Sequence, residues 1–181
     1  MKRYSLIIVS IFLFGGLMAQ NSKKEERKKR KAEREQKLEQ QFNATESVLE
    51  NRTFVLEADY LSDKYGQRVP VTSGLNFIMV DSSQATLQVG NISGYGPNGV
   101  GGITAEGSIS DYDLDINENK KSFMISMNIM SSLGIYDVTL FVSASGNTTA
   151  TISGLRGGKL NYHGDLVPLE LSRVYKGQTT Y

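Results

Sequence analysis

Phe123-Met-Ile-Ser-Met-Asn-Ile129, followed seven residues later by Tyr136-Asp-Val-Thr-Leu-Phe-Val142, decides the fold. Phe123, Ile125, Met127 and Ile129 hold every second position of the first stretch, and Tyr136, Val138, Leu140 and Val142 do so in the second. A period of two sends these side chains to one face and the intervening ones to the other, as a half-buried β-strand requires. The short link around Ser131 to Gly134 makes the two stretches antiparallel neighbours. Met124, Met127 and Met130 fall on both faces.

The pattern extends in both directions. Phe54, Leu56, Ala58 and Tyr60 alternate with Val55, Glu57 and Asp59; Leu75 to Val80 is an apolar run; Ala85, Leu87 and Val89 alternate with polar neighbours. Ile103 to Ile109 and Tyr112 to Ile116 read as two further strands, the second with Asp111, Asp113 and Asp115 on its other face. Ala150-Ile152 and Leu160-Tyr162 close the series. Turn formers separate the runs at Ser73-Gly74, Asp81-Ser82-Ser83, Glu118-Asn119 and Ser145-Gly146-Asn147. Strands so evenly spaced, with no helix-length pattern between them, predict an all-β domain over residues 52–181. The expected architecture is an antiparallel meander of about eight or nine strands, closing into a small barrel or a two-sheet sandwich. Its core is expected to contain Phe54, Leu56, Phe77, Leu87, Ile103, Ile109, Leu114, Phe123, Ile125, Ile129, Val138, Leu140, Val142 and Ile152.

Residues 20–51 are a different kind of sequence. Lys23 to Lys37 holds nine Lys or Arg, and Lys23 to Gln41 consists almost wholly of strong helix formers. The tract is expected to be a charged stalk, partly helical or disordered, since its first half has no apolar face to pack. Leu38, Phe42 and Leu49 lie at helical spacing and could lay one stripe on the domain. From residue 41 onward nine basic residues face fourteen acidic ones, which leaves the domain at −5 behind a positive tract. The tract is read as a solvated spacer or as a salt-sensitive tether to an anionic surface. Nucleic acid is not an expected partner.

The first nineteen residues have the layout of a secretory signal peptide: Lys2 and Arg3, an apolar run from Leu6 to Phe14, a Gly15-Gly16 break, and cleavage between Ala19 and Gln20. The run falls short of the 20 or so apolar residues a spanning helix needs, so no transmembrane span is expected after cleavage. The cations that follow it resist translocation, and an uncleaved inverted anchor is the alternative. The chain has no cysteine, hence neither a lipid-accepting thiol nor a disulfide.

The chemistry inventory is thin. One histidine, His163, and no cysteine leave no thiol or imidazole pair for nucleophilic catalysis or ordinary zinc ligation. His163, in Leu160-Asn-Tyr-His-Gly-Asp165, reads as a surface turn residue with no Gly-x-Ser-x-Gly elbow to serve. The Asp111, Asp113 and Asp115 row lacks the glycine and distal glutamate of a calcium loop. No catalytic, cofactor or metal site is expected. The glycine-rich Gly94 to Gly102 loop, without the Lys-Ser/Thr of a phosphate loop, reads as a wide turn or as a loop that contacts a ligand.

Three blocks carry a family resemblance: Gly94-Tyr-Gly-Pro-Asn-Gly-Val-Gly-Gly-Ile-Thr-Ala-Glu-Gly107, Gly134-Ile-Tyr-Asp-Val-Thr-Leu-Phe-Val-Ser-Ala-Ser-Gly-Asn-Thr-Thr-Ala-Thr-Ile-Ser-Gly154 and Gly158-Lys-Leu-Asn-Tyr-His-Gly-Asp-Leu-Val-Pro-Leu-Glu170. They resemble a secreted family of Bacteroidetes known as domain of unknown function 4251, over about Glu46 to Gly177. The resemblance implies a Gram-negative periplasmic or outer-surface location and transfers no catalytic residue, cofactor or substrate.

Two functional classes follow. The first is an exported, non-catalytic binding module that takes a small apolar or amphipathic ligand, with Tyr95, Asn98, Tyr112, Tyr136 and Tyr162 as its contacts. The second is a structural or interaction protein that recruits an envelope protein and docks through its basic stalk. An apolar cavity with a few convergent polar groups distinguishes the first; a filled interior with a flat exposed apolar patch distinguishes the second.

Overall fold

The structure, a computed structural model, describes residues 5–91, 96–154 and 158–181, with side chains from Lys24 onward. The chain divides after Gln40 into two compact units. A single helix, α1 (Ser5–Glu50), makes up the first unit and its last turns enter the second. From Lys24 to Gln40 every side chain is exposed, with Arg30 on Glu26 at 2.6 Å and Lys31 on Glu35 at 3.7 Å. Such one-turn pairs contribute only about 0.2–0.5 kcal/mol each. Among the described residues no helix is apolar over a length that crosses a membrane.

Nine strands follow: β1 (Thr53–Asp63), β2 (Arg68–Pro70), β3 (Phe77–Asp81), β4 (Gln84–Val89), β5 (Ile103–Asn117), β6 (Ser122–Ser131), β7 (Gly134–Ser143), β8 (Asn147–Gly154) and β9 (Lys159–Pro168). All neighbours are antiparallel, and β1 pairs with β9, so eight strands close into a barrel with β2 as an extra strand on the far half of β1. The sandwich alternative is thereby set aside. Closure removes the free edges that an open sheet would present.

Two irregularities explain where the simple alternation misleads. The β1–β9 register shifts between Ala58 and Tyr60, so Leu61 replaces Tyr60 as the inward side chain and Tyr60 stacks on His163 outside, with ring centroids 4.4 Å apart. The β5–β6 register shifts between Ile109 and Asp111, which joins the two expected strands into one of fifteen residues. One extra residue at a bulge flips every side chain beyond it. At the β1–β9 seam Gly164 faces Ala58, and a Cβ there would run into the Glu57 carbonyl. The seam closes only because that position is glycine.

The interior holds Leu56, Ile125, Ile129 and Leu140, each fully buried, with Phe54, Phe123, Val138, Val142 and Ile152 around them. Three expected core residues differ. Ile103 is 49% exposed, while Ile109 and Leu114 are partly buried against the cluster. Phe77 is buried on β3, where the turn Leu169–Leu171 packs. Leu75 belongs to a 3₁₀ turn, Ser73–Leu75, rather than to β3.

The last turns of α1 close one end of the barrel. Phe42 stacks on Phe123 at 4.6 Å, Thr45 donates to the Ala144 carbonyl at 3.3 Å, and Leu49 is fully buried. Tyr112 donates its hydroxyl to the Leu49 carbonyl at 2.8 Å beneath the Arg52 guanidinium. Burial, against the opposing pull of Arg52, pushes that phenol up to about 12. Phe42 and Leu49 thus pack as the helical spacing suggested, whereas Leu38 is 41% exposed.

Candidate functional site

Among the described residues the opposite end of the barrel is open. There the ends of β4, β5, β7, β8 and β9 frame a cavity of about 710 Å³. Its wall is Leu87 and Val89 from β4, Ile103 and Ala105 from β5, Leu133, Ile135 and Tyr136 from the β6–β7 turn and β7, Ile152 from β8, and Leu160 and Tyr162 from β9. Glycines 134, 154 and 158 join it, and Lys159 is the one charged side chain among the described lining residues. The volume lies within the 300–1,000 Å³ range of small-molecule sites, and the chemistry is theirs: apolar walls with few polar groups.

The alternation that fills the barrel elsewhere also builds this cavity. Leu87, Ala105, Tyr136, Ile152 and Tyr162 are inward residues of their strands. The interior stays unfilled because Ala105, Gly134, Gly154 and Gly158 give the wall little volume near the rim. Ile103 and Ile135, 49% and 45% exposed, leave apolar surface at the opening.

The expected contact residues separate into groups. Tyr136 and Tyr162 line the cavity. Tyr162 is 1% exposed and donates its hydroxyl to the Gln88 carbonyl at 3.0 Å, so it offers a ring and not a polar hand. Burial alone pushes its phenol above the usual tyrosine range. Tyr112 belongs to the helix-plugged end, and Tyr95 lies outside the described residues.

Asn98 is a structural residue of the β4–β5 loop. It donates to the Val89 carbonyl at 3.2 Å and to Thr104 Oγ1 at 3.1 Å, and accepts from the Val100 and Gly102 amides. It joins Thr104 and Gln88 in a buried polar network outside the barrel wall, while the nearby Asn76 side chain is held by the Thr72 and Gly90 backbone. The segment Ser172–Tyr181 covers that network: Gln88 donates to the Tyr175 carbonyl, Gly177 donates to Gln88 Oε1, and Gln178 donates to the Asn98 carbonyl, each at 2.9 Å. Lys176 adds an ion pair to Glu106 at 2.8 Å, and its ammonium is the main cause holding that carboxyl below its ordinary value. This strap pins Gln88 and Thr104, the neighbours of the cavity-lining Val89 and Ile103 on the two stems of the loop. Neither the strap nor the network carries a periodic signal; the one available sign was Gln88 and Thr104 among apolar neighbours on adjoining strands.

His163 is not a turn residue. It lies within β9 on the outer face, with Nε2 3.1 Å from Ser62 Oγ and Nδ1 3.1 Å from Thr149 Oγ1. Asn161 donates to Ser62 Oγ at 3.3 Å and accepts from Thr151 at 2.9 Å, so the row spans β1, β9 and β8. Burial first, and the Arg68 guanidinium second, hold the imidazole below its ordinary value. A hydroxyl stands where a triad would place the carboxylate that orients and stabilises the imidazolium. The row ties the barrel seam together. Among the described residues no group of acids and histidine is placed to hold a metal ion.

The model of the family described as domain of unknown function, DUF4251, matches residues 36–166. The chain belongs to the DUF4251 family. A solved structure of the same family, the crystal structure of a DUF4251 family protein from Bacteroides eggerthii DSM 20697 at 1.95 Å resolution, is similar over 73% of this chain and 90% of that one. The two share 30% sequence identity and superpose with a TM-score of 0.61. No curated protein is similar to the chain at a significant level. The match ends before the strap, so in this DUF4251 chain the elements that pin the β4–β5 loop extend past the region the family model covers.

Proposed function

We propose that this DUF4251 chain is an exported, non-catalytic binding module of the cell envelope that receives a small apolar or amphipathic molecule in the open mouth of its barrel. The observation that supports it is the apolar cavity of about 710 Å³ at one end of an otherwise filled barrel. Ten of its wall residues present hydrocarbon or aromatic rings, and burial of such surface from a ligand contributes about 25 cal/mol per Å². The export half of the reading is supported by the basic start, the Leu6 to Phe14 run and the Ala19-Gln20 junction. The exposed cations of Lys24 to Lys37 favour a salt-sensitive contact with an anionic envelope surface, which would hold the module near its ligand's source.

The test combines two measurements. Native mass spectrometry of protein recovered from its own cells, with the first residue determined, is expected to show a chain starting at Gln20 and a co-purifying small molecule. Titration of stripped protein with dodecanol, followed by amide shifts, is expected to move Leu87, Ile103, Tyr136 and Leu160. Shifts confined to residues outside the cavity would overturn the binding reading; a first residue at Met1 would overturn export by cleavage.

A further inference from the structure

Resting on that reading, we infer that the ligand is an anionic single-chain amphiphile, its hydrocarbon in the cavity and its acidic head at Lys159. Among the described lining residues Lys159 is the one charged side chain, and it is exposed at the rim where β9 begins. No acid is among the described residues of the wall, although the domain around it carries fourteen acidic residues against nine basic. Lys159 makes no ion pair among the described residues, in contrast to Lys176, whose ammonium is held by Glu106. Its charge is therefore available to an incoming group.

A second polar group converges on the same mouth. Tyr136 lines the cavity and its hydroxyl has no hydrogen-bond partner among the described residues, whereas Tyr162 spends its own on the Gln88 carbonyl. A carboxylate at the rim can accept a charge-assisted hydrogen bond from the Lys159 ammonium, with the Tyr136 hydroxyl as a further donor among the lining residues. The apolar residues behind them, Leu87, Ile103, Ile152 and Leu160, offer nothing to a second head group. One head and one chain satisfy the whole lining. A cationic or uncharged head leaves the ammonium opposed or unused.

The experiment uses the full chain, stripped of bound molecules, and three probes of equal chain length: dodecanoate, dodecanol and dodecylamine, titrated calorimetrically below their aggregation concentrations. Dodecanoate is expected to bind one to one and about tenfold more tightly than dodecanol, the size of one partly exposed charge-assisted contact. Dodecylamine is expected to bind more weakly than either. Lys159→Gln is expected to erase the dodecanoate advantage over dodecanol, and Tyr136→Phe to reduce that advantage by a few fold. Equal affinities for dodecanoate and dodecanol, or an advantage that survives Lys159→Gln, would overturn the anionic head while leaving the cavity reading intact. Failure of all three probes to bind would overturn both.

Discussion

Replacing Gln88 with alanine should release the C-terminal strap and remove a large part of the domain's stability. The side-chain amide is fully buried and makes four hydrogen bonds: it donates to the Leu75 carbonyl at 3.1 Å and the Tyr175 carbonyl at 2.9 Å, and accepts from Thr104 Oγ1 and the Gly177 amide, each at 2.9 Å. Two carbonyls on one side and an N–H on the other leave its orientation no choice. Each buried group that loses its partner costs about 1–3 kcal/mol if water does not reach it. The strap lies at the surface, with Tyr175 65% exposed, so water can reach Tyr175 and Gly177 once the strap lifts. Leu75 and Thr104 stay enclosed. Those two groups, with the void left by the side chain, set a loss of about 3–5 kcal/mol. That is a large share of the 5–15 kcal/mol typical of a domain. Urea denaturation followed by far-UV circular dichroism measures the loss, and amide exchange at Gly177, Gln178 and Thr180 reports the strap. A loss below about 1 kcal/mol with all three amides still protected would refute the clasp, since the strap would then be held by something other than this amide. Gln88→Glu keeps the shape but turns both donations into repulsions, and should cost more than alanine.

Three further outcomes follow from the same geometry. Leu140→Ala, at a fully buried position of β7, should cost about 2–5 kcal/mol in the same urea assay, and a loss under about 0.5 kcal/mol would place Leu140 on the wrong face. Gly164→Ala should cost about 3 kcal/mol or more, because its new Cβ meets the backbone carbonyl of Glu57, while Gly74→Ala, with open space around it, should stay within about 0.5 kcal/mol. Equal effects at the two glycines would mean that the seam can spread. The imidazole of His163 takes its proton in the unfolded chain near pH 6.5 and only at lower pH in the fold, so its contribution is present above about 6.5 and is lost as the pH falls through the folded value. Stability should therefore drop from pH 7 toward 5, with a smaller slope in His163→Gln; an identical slope would assign the loss to other groups. Glu106, also depressed, acts in a separate window below its ordinary carboxylate range.

Which faces pack was legible because burial acts on every second residue, and the strands from Phe123 to Val142 kept that period without interruption. Closure was legible only as one of two alternatives, barrel or sandwich. β1 and β9 meet across about a hundred residues of chain, and alternation says nothing about which distant strands pair. The bulges near Asp59 and Ser110 were hidden for a related reason: each inserts one residue, and the sequence on either side still alternates. Tyr60 therefore looked inward when it faces His163, and one fifteen-residue strand looked like two. The candidate site was half visible. Tyr136 and Tyr162 stood out as aromatics on inward faces, but Leu87, Val89, Ile103 and Ala105 join them only through the barrel's closure. The strap has no periodic signal of its own, since most of its contacts are made by backbone groups and by amides on β4 and in the β4–β5 loop, with Ser172, Lys176 and Thr180 the side chains that add to them.

The two ends of the barrel answer the same packing problem in opposite ways, and that difference makes a binding mouth compatible with a stable fold. At one end β5 carries Tyr112, Leu114 and Ile116 toward the helix, where Phe42 and Leu49 complete a core that eight strands alone leave open. At the other end no element among the described residues plugs the interior, and small residues keep the wall apart. An eight-stranded barrel is just wide enough for side chains to fill, so a cavity of about 710 Å³ arises only where side chains are withheld. The withheld packing leaves part of the wall without contacts, a cost of the kind measured when cavities are cut into cores. The strap and its buried amide network lie against the same strands that border the opening, and they stiffen the stems of the loop over it. Stability lost inside the mouth is thus offset outside it, at residues that never touch a ligand. Filling the mouth, for example with Ala105→Leu, should raise the urea midpoint while lowering dodecanol affinity, and a variant that gained both would show that the opening is not the binding site.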